Sequence, residues 1–286
     1  MVTTIRITGH PITDFEAPDR STPIGLFDSG VGGLSVARHI QRELPSERLL
    51  YIADSAYVPY GTKTAAEVEE RAVKLSRYLI QRRVKALVVA CNTATAAAIT
   101  RLRSLHTIPI IGMEPAVKPA VSMTRSGVIG VLATAGTLTS EKFTRLQTEF
   151  GQEVRIITQA CPGLVELVEK GDLDGPETRQ LAAEYLGKLI SRGADTVVLG
   201  CTHYPFLLPL FRRISGPDIE ILDTGLPVTR EVRRQLEARN LVAARGKLGG
   251  LEILSSGDLE VARTITSRLW GSPLNVKPLE LLDGSG

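Results

Sequence analysis

The sequence has no long hydrophobic run among its 286 residues, and no apolar stretch approaches the roughly 18 residues that a membrane-spanning helix needs. Aromatic residues make up only 5%, and no basic block is interleaved with them, so the usual surface for binding nucleic acid is missing. The net charge is only +3. We therefore predict neither a membrane nor a nucleic acid as a partner, and the 43% of hydrophobic residues indicates a globular protein.

Cysteine is also scarce, with Cys91, Cys161 and Cys201 as its three residues. An odd, sparse set in a chain of this size does not indicate a disulfide framework. The first 22 residues lack the apolar core of a secretion signal and carry Asp14 and Glu16. We expect a cytoplasmic protein with reduced thiols, whose N-terminal extension is disordered or only loosely docked.

The sequence also lacks the patterns that hold a metal or an organic cofactor. No lysine stands at a strand end in the context that a pyridoxal Schiff base would need. The histidines do not have the spacing of metal ligands. We therefore predict no metal and no organic cofactor. The histidines are His10, His39, His106 and His203.

Short apolar runs alternate regularly with longer amphipathic stretches. The runs Pro23–Phe27, Leu49–Ala53 and Ala86–Ala90 predict buried strands, whereas Ala65–Arg83 repeats apolar residues every three or four positions, as a helix does. Strands that alternate with helices indicate an α/β fold with a parallel sheet that helices cover on both faces.

The two halves of the chain resemble each other. Gly25–Phe27 matches Gly130–Leu132, and Ala90–Thr93 matches Gly200–His203 at a nearly constant offset. This internal repeat predicts two similar parallel-sheet α/β domains with the active site between them. The predicted segments are an N-terminal extension, 1–22, a first domain, 23–114 plus 225–286, and a second domain, 115–224.

Cys91 and Cys201 stand at matching places in the repeat, each at the carboxyl end of a predicted strand. Ligands of open parallel sheets bind outside these strand ends. A helix that begins there lowers a cysteine pKa through its free N–H groups and partial positive charge. Either cysteine alone is most simply a small buried hydrophobe, but two at related strand ends favour thiols that approach one ligand from opposite sides.

Two facing thiols suit one reaction in particular. Nucleophilic catalysis needs a single thiol and a base, and disulfide exchange usually needs a Cys-X-X-Cys pair, which is absent. Racemisation needs one group to remove a proton and another to deliver one to the opposite face, and these roles exchange in the reverse direction. A near-symmetric thiol pair therefore predicts racemisation.

Four segments resemble those of the glutamate racemases. They are Gly25–Val36 (GLFDSGVGGLSV), Tyr51–Gly61 (YIADSAYVPYG), Val88–Ala96 (VVACNTATA) and Leu199–Pro205 (LGCTHYP). The resemblance covers residues 23–271. It implies cofactor-independent, two-base racemisation of L- and D-glutamate, which supplies D-glutamate for peptidoglycan. It also implies two α/β domains around the active site and a homodimer.

The resemblance implies a role for each matching residue. Cys91 would act on D-glutamate and Cys201 on L-glutamate, and the Tyr60-Gly61 pair would bind a substrate carboxylate through backbone and side chain. The residues implied to support catalysis are Asp28, His203, Asp54 and Glu169. The residues implied to bind substrate are Asp28, Ser29, Tyr60, Gly61, Asn92, Thr93, Thr202 and His203.

Simpler interpretations remain for several of these residues. Asp28 could only cap a turn or helix, His203 could be an interior histidine, and Tyr60-Gly61 could form an ordinary turn. Gly30 and Gly32 do not fit the spacing of a phosphate-binding loop, so we interpret them as a tight turn with close backbone approach.

The acid near Cys201 is left open between two residues. The segment Cys161–Glu169 (CPGLVELVE) departs from the family pattern, so either Glu166 or Glu169 could be that acid. Cys161 has no second motif around it, and we expect it to be structural.

Two other functions compete with glutamate racemisation. One is a racemase for aspartate or another amino acid, because a single sequence does not resolve the pocket for the side-chain carboxylate. The other is a non-catalytic amino-acid binding protein on the same scaffold. Both cysteines argue against the second function, because binding alone needs no thiol.

Overall fold

The computed structural model describes residues 18–281 and places their strands in two parallel sheets. The strands are Ile24–Asp28 (β1), Leu49–Ala53 (β2), Ala86–Val89 (β3), Ile110–Gly112 (β4), Val128–Ala133 (β5), Arg155–Ala160 (β6), Thr196–Gly200 (β7), Glu220–Leu222 (β8), Leu251–Ser255 (β9) and Val276–Pro278 (β10). The first sheet has the order β10-β9-β2-β1-β3-β4, and the second has the order β6-β5-β7-β8.

The strand order reflects the internal repeat. In the first sheet β1 lies between β2 and β3, with β4 outside β3, and in the second sheet β5 lies between β6 and β7, with β8 outside β7. The first sheet gains two further strands, β9 and β10, from the end of the chain, and β9 pairs in parallel with β2. The α/β fold with two parallel sheets is therefore confirmed.

Helices connect the strands. They are Leu34–Glu43 (α1), Ala65–Gln81 (α2), Asn92–Leu105 (α3), Val117–Met123 (α4), Ala135–Leu138 (α5), Glu141–Phe150 (α6), Leu164–Glu169 (α7), Pro176–Ile190 (α8), Leu208–Ser215 (α9), Gly225–Glu237 (α10) and Leu259–Trp270 (α11). Short 3₁₀ turns lie at Ser55–Tyr57, Tyr60–Thr62 and Tyr204–Leu207. Among residues 18–281, no helix is long and apolar enough to cross a membrane.

Four interior strands of the two sheets are buried along their whole length. Every residue of β1, β2, β3 and β7 is buried, so these strands show no alternation of polar and apolar residues. This is the pattern of parallel strands with helices on both faces. The continuous apolar runs of the sequence predicted these strands for that reason.

The first turn of α2 shows how the local sequence sets an element. Thr64 accepts a hydrogen bond from the backbone N–H of Glu67, and the Glu67 carboxylate accepts one from the backbone N–H of Thr64 at 2.8 Å. This reciprocal capping box satisfies two N–H groups that the start of a helix leaves free. It begins the helix at Ala65, where the amphipathic pattern also begins.

The N-terminal extension is bound where the structure describes it. Residues 1–17 lie outside the described residues. The side chain of Arg20 donates from Nε to the carbonyl of Asn240 at 3.0 Å, and the carbonyl of Arg20 accepts from Lys85 Nζ at 2.8 Å. Arg20 is therefore docked against residues of the first domain.

Lys85 and Glu47 form a buried ion pair at the edge of the first sheet where β3 begins. Their side chains are 0% and 1% exposed, and Lys85 Nζ lies 2.6 Å from Glu47 Oε2. Glu47 Oε1 also accepts from the backbone N–H of Ala243 at 2.8 Å. The pair thus joins the start of β3, the loop after α1 and the segment before β9, together with the Arg20 carbonyl.

Substitution Lys85→Met is expected to destabilise the fold by about 3–5 kcal/mol, because it leaves the Glu47 charge buried and unpaired. The double variant Lys85→Met/Glu47→Gln removes that charge and keeps an acceptor for Ala243, so it should recover much of the loss. Urea unfolding of both variants measures the difference. Equal stabilities of the single and double variants would contradict this account.

Asp195 fixes the turn before β5 to the second sheet. Its carboxylate accepts hydrogen bonds from the Thr124 hydroxyl at 2.6 Å, from the backbone N–H groups of Arg125 and Ser126 at 2.7 Å each, and from the Thr196 hydroxyl. Burial opposes the charged form, but these hydrogen bonds outweigh it and lower the pKa of Asp195 to about 2. The ionised carboxylate therefore stabilises the folded state.

Substitution Asp195→Asn is expected to cost about 2 kcal/mol near neutral pH, since hydrogen bonds to a charged acceptor are lost. The folded pKa lies below the ordinary value of 3.8, so the contribution is present above that pH and disappears as the pH falls toward 2. Unfolding curves at several pH values should show the two proteins converging in acid. A constant difference across that range would count against the assignment.

Candidate active site

A narrow cavity lies where the carboxyl ends of β1, β3 and β7 meet between the two sheets. The predicted residues that line it are Ser29, Tyr60, Gly61, Cys91, Asn92, Thr93, Cys201, Thr202 and His203. The lining residues that the sequence analysis missed are Pro59, Thr134, Thr137, Val165 and Gly200. Residues of both domains therefore surround one small space.

Cys91 lies at the point where β3 passes into α3. It is the N-cap residue of α3, and its Sγ accepts from the backbone N–H of Ala94 at 3.5 Å. The sequence predicts a lowered pKa at such a place, but burial and the negative charge of Asp28 outweigh the helix N-terminus and raise the pKa of Cys91 well above its usual value. These contributions favour the protonated thiol of Cys91.

Asp28 connects the two halves of the site at the end of β1. It is fully buried, and its carboxylate accepts from the Ser29 backbone N–H at 2.6 Å and from the Thr202 hydroxyl at 2.9 Å. Its negative charge also acts on Cys91 and raises the pKa of that thiol. Burial raises the pKa of Asp28, although the charge of His203 acts in the opposite direction. The N-cap of α1 is Gly33, so Asp28 does not cap that helix.

Cys201, His203 and Glu169 form a connected row on the opposite side of the cavity. Cys201 Sγ lies 3.7 Å from His203 Nδ1, and His203 Nε2 lies 2.6 Å from Glu169 Oε1. Burial disfavours a charged imidazole, but the contacts with Cys201 and Glu169 outweigh it and raise the pKa of His203 well above its usual value. These contacts favour the imidazolium form of the ring, which lies beside the Cys201 sulfur atom.

The acid in this row is Glu169. Glu166, the alternative from the sequence, lies one turn earlier on α7. Glu169 Oε1 also accepts from the backbone N–H of Val31 at 2.7 Å, so the carboxylate is held by both domains.

The glycines after β1 allow this close contact. A Cβ at Gly32 would lie 2.4 Å from His203 Nδ1, and a Cβ at Gly30 would lie 1.9 Å from Glu169 Oε1. Contacts this short would force the carboxylate or the imidazole to move, so glycine at both positions lets the first domain approach the pair as it stands. The interpretation of these residues as a close backbone approach agrees with these distances.

Asn92 presents both ends of its amide to the cavity without a protein partner. Its Oδ1 and Nδ2 are buried and form no hydrogen bond in the structure. Buried polar groups are almost always paired, so an unpaired amide in a cavity indicates a ligand that supplies a donor and an acceptor. Asn92 begins α3, directly after Cys91.

Three threonines close the cavity between the domains. Thr93 Oγ1 lies 2.9 Å from Thr134 Oγ1 and 3.3 Å from Thr137 Oγ1, and the latter two lie 3.0 Å apart. Hydroxyl groups both donate and accept, so this cluster can turn its protons toward an anionic ligand. Thr134 and Thr137 were missed because their segment, at the end of β5, resembles an ordinary turn with a helix cap.

Asp54 and Cys161 lie outside the cavity lining. Asp54 is fully buried behind Tyr60 and accepts from its hydroxyl at 2.6 Å, so the Tyr60 phenol proton is directed away from any bound carboxylate. Cys161 is buried, and its thiol contacts the Gln159 carbonyl at 3.4 Å. Burial also raises the pKa of Cys161. These features agree with a structural role for Cys161.

The part of the chain from 18 to 281 contains no cluster of three or more residues that could hold a metal ion. His10, one of the four histidines in the sequence, lies outside this part.

The fold and the cavity define a class of protein: two α/β domains that bring one thiol each to a shared cleft. The profile of the Asp/Glu/Hydantoin racemase family matches residues 24–231, and the chain belongs to this family. A glutamate racemase of Methylococcus capsulatus is 53% identical over 257 residues, which cover 90% of this chain and 95% of that protein.

Solved structures give the same result. The chain is similar to a glutamate racemase isoform of Bacillus anthracis, with 33% identity and a TM-score of 0.84, over 92% of this chain and 98% of that one. It is also similar to the Escherichia coli glutamate racemase in complex with L-glutamate and the activator UDP-MurNAc-Ala, with 30% identity and a TM-score of 0.80, over 91% and 99% of the two chains.

Substitution Glu169→Gln is expected to lower the pKa of His203, because it removes the negative charge that stabilises the imidazolium. Substitution Glu166→Gln is the matched control and should leave that pKa unchanged. A histidine NMR titration of the three proteins measures both effects. A larger shift in the Glu166 variant than in the Glu169 variant would reverse the assignment of the acid.

Proposed function

We propose that the protein is a glutamate racemase that interconverts L- and D-glutamate with two thiols and without a cofactor. The observation that carries this proposal is the placement of Cys91 and Cys201. They stand at matching strand ends of two related sheets and line one cavity, each with a different ionisable partner. A reaction that removes a proton from one face of a carbon and delivers one to the other needs this arrangement.

The polar lining supports an amino acid with two carboxylates as substrate. The unpaired Asn92 amide offers a donor and an acceptor, and the threonine cluster offers hydroxyl donors. Ser29, which lines the cavity, and the buried Asp28 carboxylate that accepts from its backbone N–H would receive the substrate ammonium group. The Escherichia coli relative, whose structure holds L-glutamate, has the same fold.

In the direction from L- to D-glutamate, the Cys201 thiolate takes the α-proton and leaves the electron pair on the α-carbon. The His203 imidazolium beside Cys201 stabilises that thiolate before the transfer. Cys91, held as a thiol by burial, then gives its proton to the opposite face. The cycle leaves Cys201 protonated and Cys91 ionised, so solvent must exchange protons with both groups before the next turnover in this direction.

The reverse direction begins from the protonation state that this turnover leaves, with Cys91 ionised and Cys201 protonated. If Cys91 is still a thiol, its proton passes to Asp28 or to solvent, and His203 or solvent gives a proton to Cys201. The raised pKa of Asp28 makes it a better proton acceptor than an ordinary aspartate. The Cys91 thiolate then removes the α-proton of D-glutamate, and the Cys201 thiol delivers one from the other side. The two thiols thus exchange roles, while their partners remain different.

The same residues weigh against the competing functions. A binding protein would need neither a buried thiol pair nor an imidazolium fixed beside one sulfur. A racemase for aspartate would use the same thiols and would differ in the pocket for the side-chain carboxylate. The glutamate racemases among the relatives favour glutamate.

The cellular role follows from the product. D-glutamate is a building block of peptidoglycan, so we propose that the protein supplies cell-wall synthesis from the cytoplasm. The homodimer implied by the sequence resemblance remains a prediction, and sedimentation velocity would test it.

Proton NMR in D₂O with L-glutamate, L-aspartate and L-alanine in separate samples tests the function, with no cofactor added. We expect the α-proton signal to disappear for glutamate alone while optical rotation decays to zero. Exchange of aspartate or alanine instead would assign the protein to another amino-acid racemase. No exchange with any of the three would overturn the proposal.

Substitutions Cys91→Ser and Cys201→Ser are each expected to lower racemisation by roughly 10²–10⁴-fold, because a serine hydroxyl is a far weaker acid than a thiol. Cys161→Ser is the matched control, since this third buried cysteine lies outside the cavity, and it should retain activity. Racemisation near the wild-type rate in either active-site variant would remove that cysteine from the mechanism.

A further inference from the structure

We propose that Arg71 is a positioning residue for glutamate binding, acting through Asp54 on the Tyr60-Gly61 wall of the cavity. This inference rests on the proposed racemase function and assigns that site a residue outside the cavity lining.

The Arg71 guanidinium reaches Asp54 from helix α2 with two parallel hydrogen bonds. Arg71 Nε lies 2.8 Å from Asp54 Oδ2, and Nη2 lies 2.6 Å from Oδ1. The two side chains are 12% and 0% exposed, so water contributes little to the pair. A planar, bidentate contact of this kind fixes both the charge and the orientation of the carboxylate.

The fixed charge on Asp54 determines the direction in which the Tyr60 hydroxyl donates its proton. An ionised carboxylate only accepts hydrogen bonds, so the Tyr60 hydroxyl must donate its single proton to Oδ2, at 2.6 Å. The Tyr60 ring is thereby anchored behind the cavity. Its contribution to the substrate is the position of the backbone from Pro59 to Gly61.

Two further contacts hold the same segment. The Ser256 hydroxyl, after β9, donates to Asp54 Oδ1 at 2.8 Å, and its oxygen accepts from the Ala56 backbone N–H at 3.1 Å. The Tyr57 ring stacks on the guanidinium of Arg71, with 3.9 Å between Cζ and the ring centre. The segment after β2 is therefore anchored to α2 and to the C-terminal strands.

The anchored segment leaves little freedom at the cavity. A Cβ at Gly61 would lie 2.8 Å from the Cβ of Thr134, so the segment already lies against the second domain. Thr134 in turn contacts Thr93 in the cavity. A displacement of Tyr60 by even a fraction of an ångström would change the space in which a substrate carboxylate binds.

A purely structural ion pair predicts a different result. If Arg71 only stabilised the fold, its loss would reduce the fraction of active enzyme, so the apparent kcat would fall while KM stayed unchanged. If Arg71 positions the wall, KM for glutamate should rise in the folded protein.

Substitution Arg71→Met is expected to raise KM for both glutamate enantiomers by roughly tenfold or more, with kcat less affected. Arg71→Lys keeps the charge without the planar fork and should give a smaller increase. The matched control is Arg82→Met, directly after the same helix, since Arg82 also contacts a tyrosine, Tyr78, and a carboxylate, Glu252, neither of which lines the cavity. It should leave KM unchanged.

The milder variant Tyr60→Phe keeps the test informative if Arg71→Met does not fold. Tyr60→Phe should raise KM, and Arg71→Lys combined with it should raise KM no further than the more affected single variant, because both act through one contact. The inference would be overturned if the increases in KM of the two single variants multiplied in the double variant. It would also be overturned if KM were unchanged in both Tyr60→Phe and Arg71→Lys while the wild-type protein racemises glutamate. Absence of wild-type racemisation would overturn the proposed function, and this inference with it.

Discussion

The hydrogen bond from the Thr202 hydroxyl to the Asp28 carboxylate is the contact on which the site depends, because it crosses from one sheet to the other. Asp28 ends β1 beside Cys91, and Thr202 directly follows Cys201. One buried carboxylate therefore fixes the relative position of the two thiols. It also sets the electrostatics of the first thiol, because its charge adds to burial in keeping Cys91 protonated.

The two halves are alike in backbone and different in charge. In each sheet a cysteine follows the strand at the same place in the strand order, β3 in the first sheet and β7 in the second. Cys91 lies near a carboxyl group, whereas Cys201 lies near an imidazole ring. A racemase must work in both directions on two mirror-image substrates, but its protein environment is chiral and has no mirror symmetry. In the proposed mechanism, unequal partners can still serve one equilibrium, since each direction would use one thiol as acid and the other as base.

The sequence predicted what depends on local pattern. Buried strands, the repeat and the two strand-end cysteines follow from apolar runs and from polar residues directly after them. It did not predict Thr134 and Thr137, which reach the cavity only because the second domain packs against the first. It also gave the wrong direction for the pKa of Cys91, since a helix N-terminus is visible in sequence whereas burial beside Asp28 is not. The choice between Glu166 and Glu169 likewise needed the position of His203.

Close approach of the domains explains why glycines follow β1. The imidazolium and Glu169 of the second domain occupy the space where side chains at Gly32 and Gly30 would lie. At the same place, the backbone N–H of Val31 donates to Glu169 and fixes the carboxylate that contacts His203. The first domain therefore shapes the environment of Cys201 through its backbone, just as the second domain shapes that of Cys91 through Thr202. The surroundings of each thiol depend on the opposite domain, so the proposed catalytic unit is the pair of domains and neither half of the repeat alone.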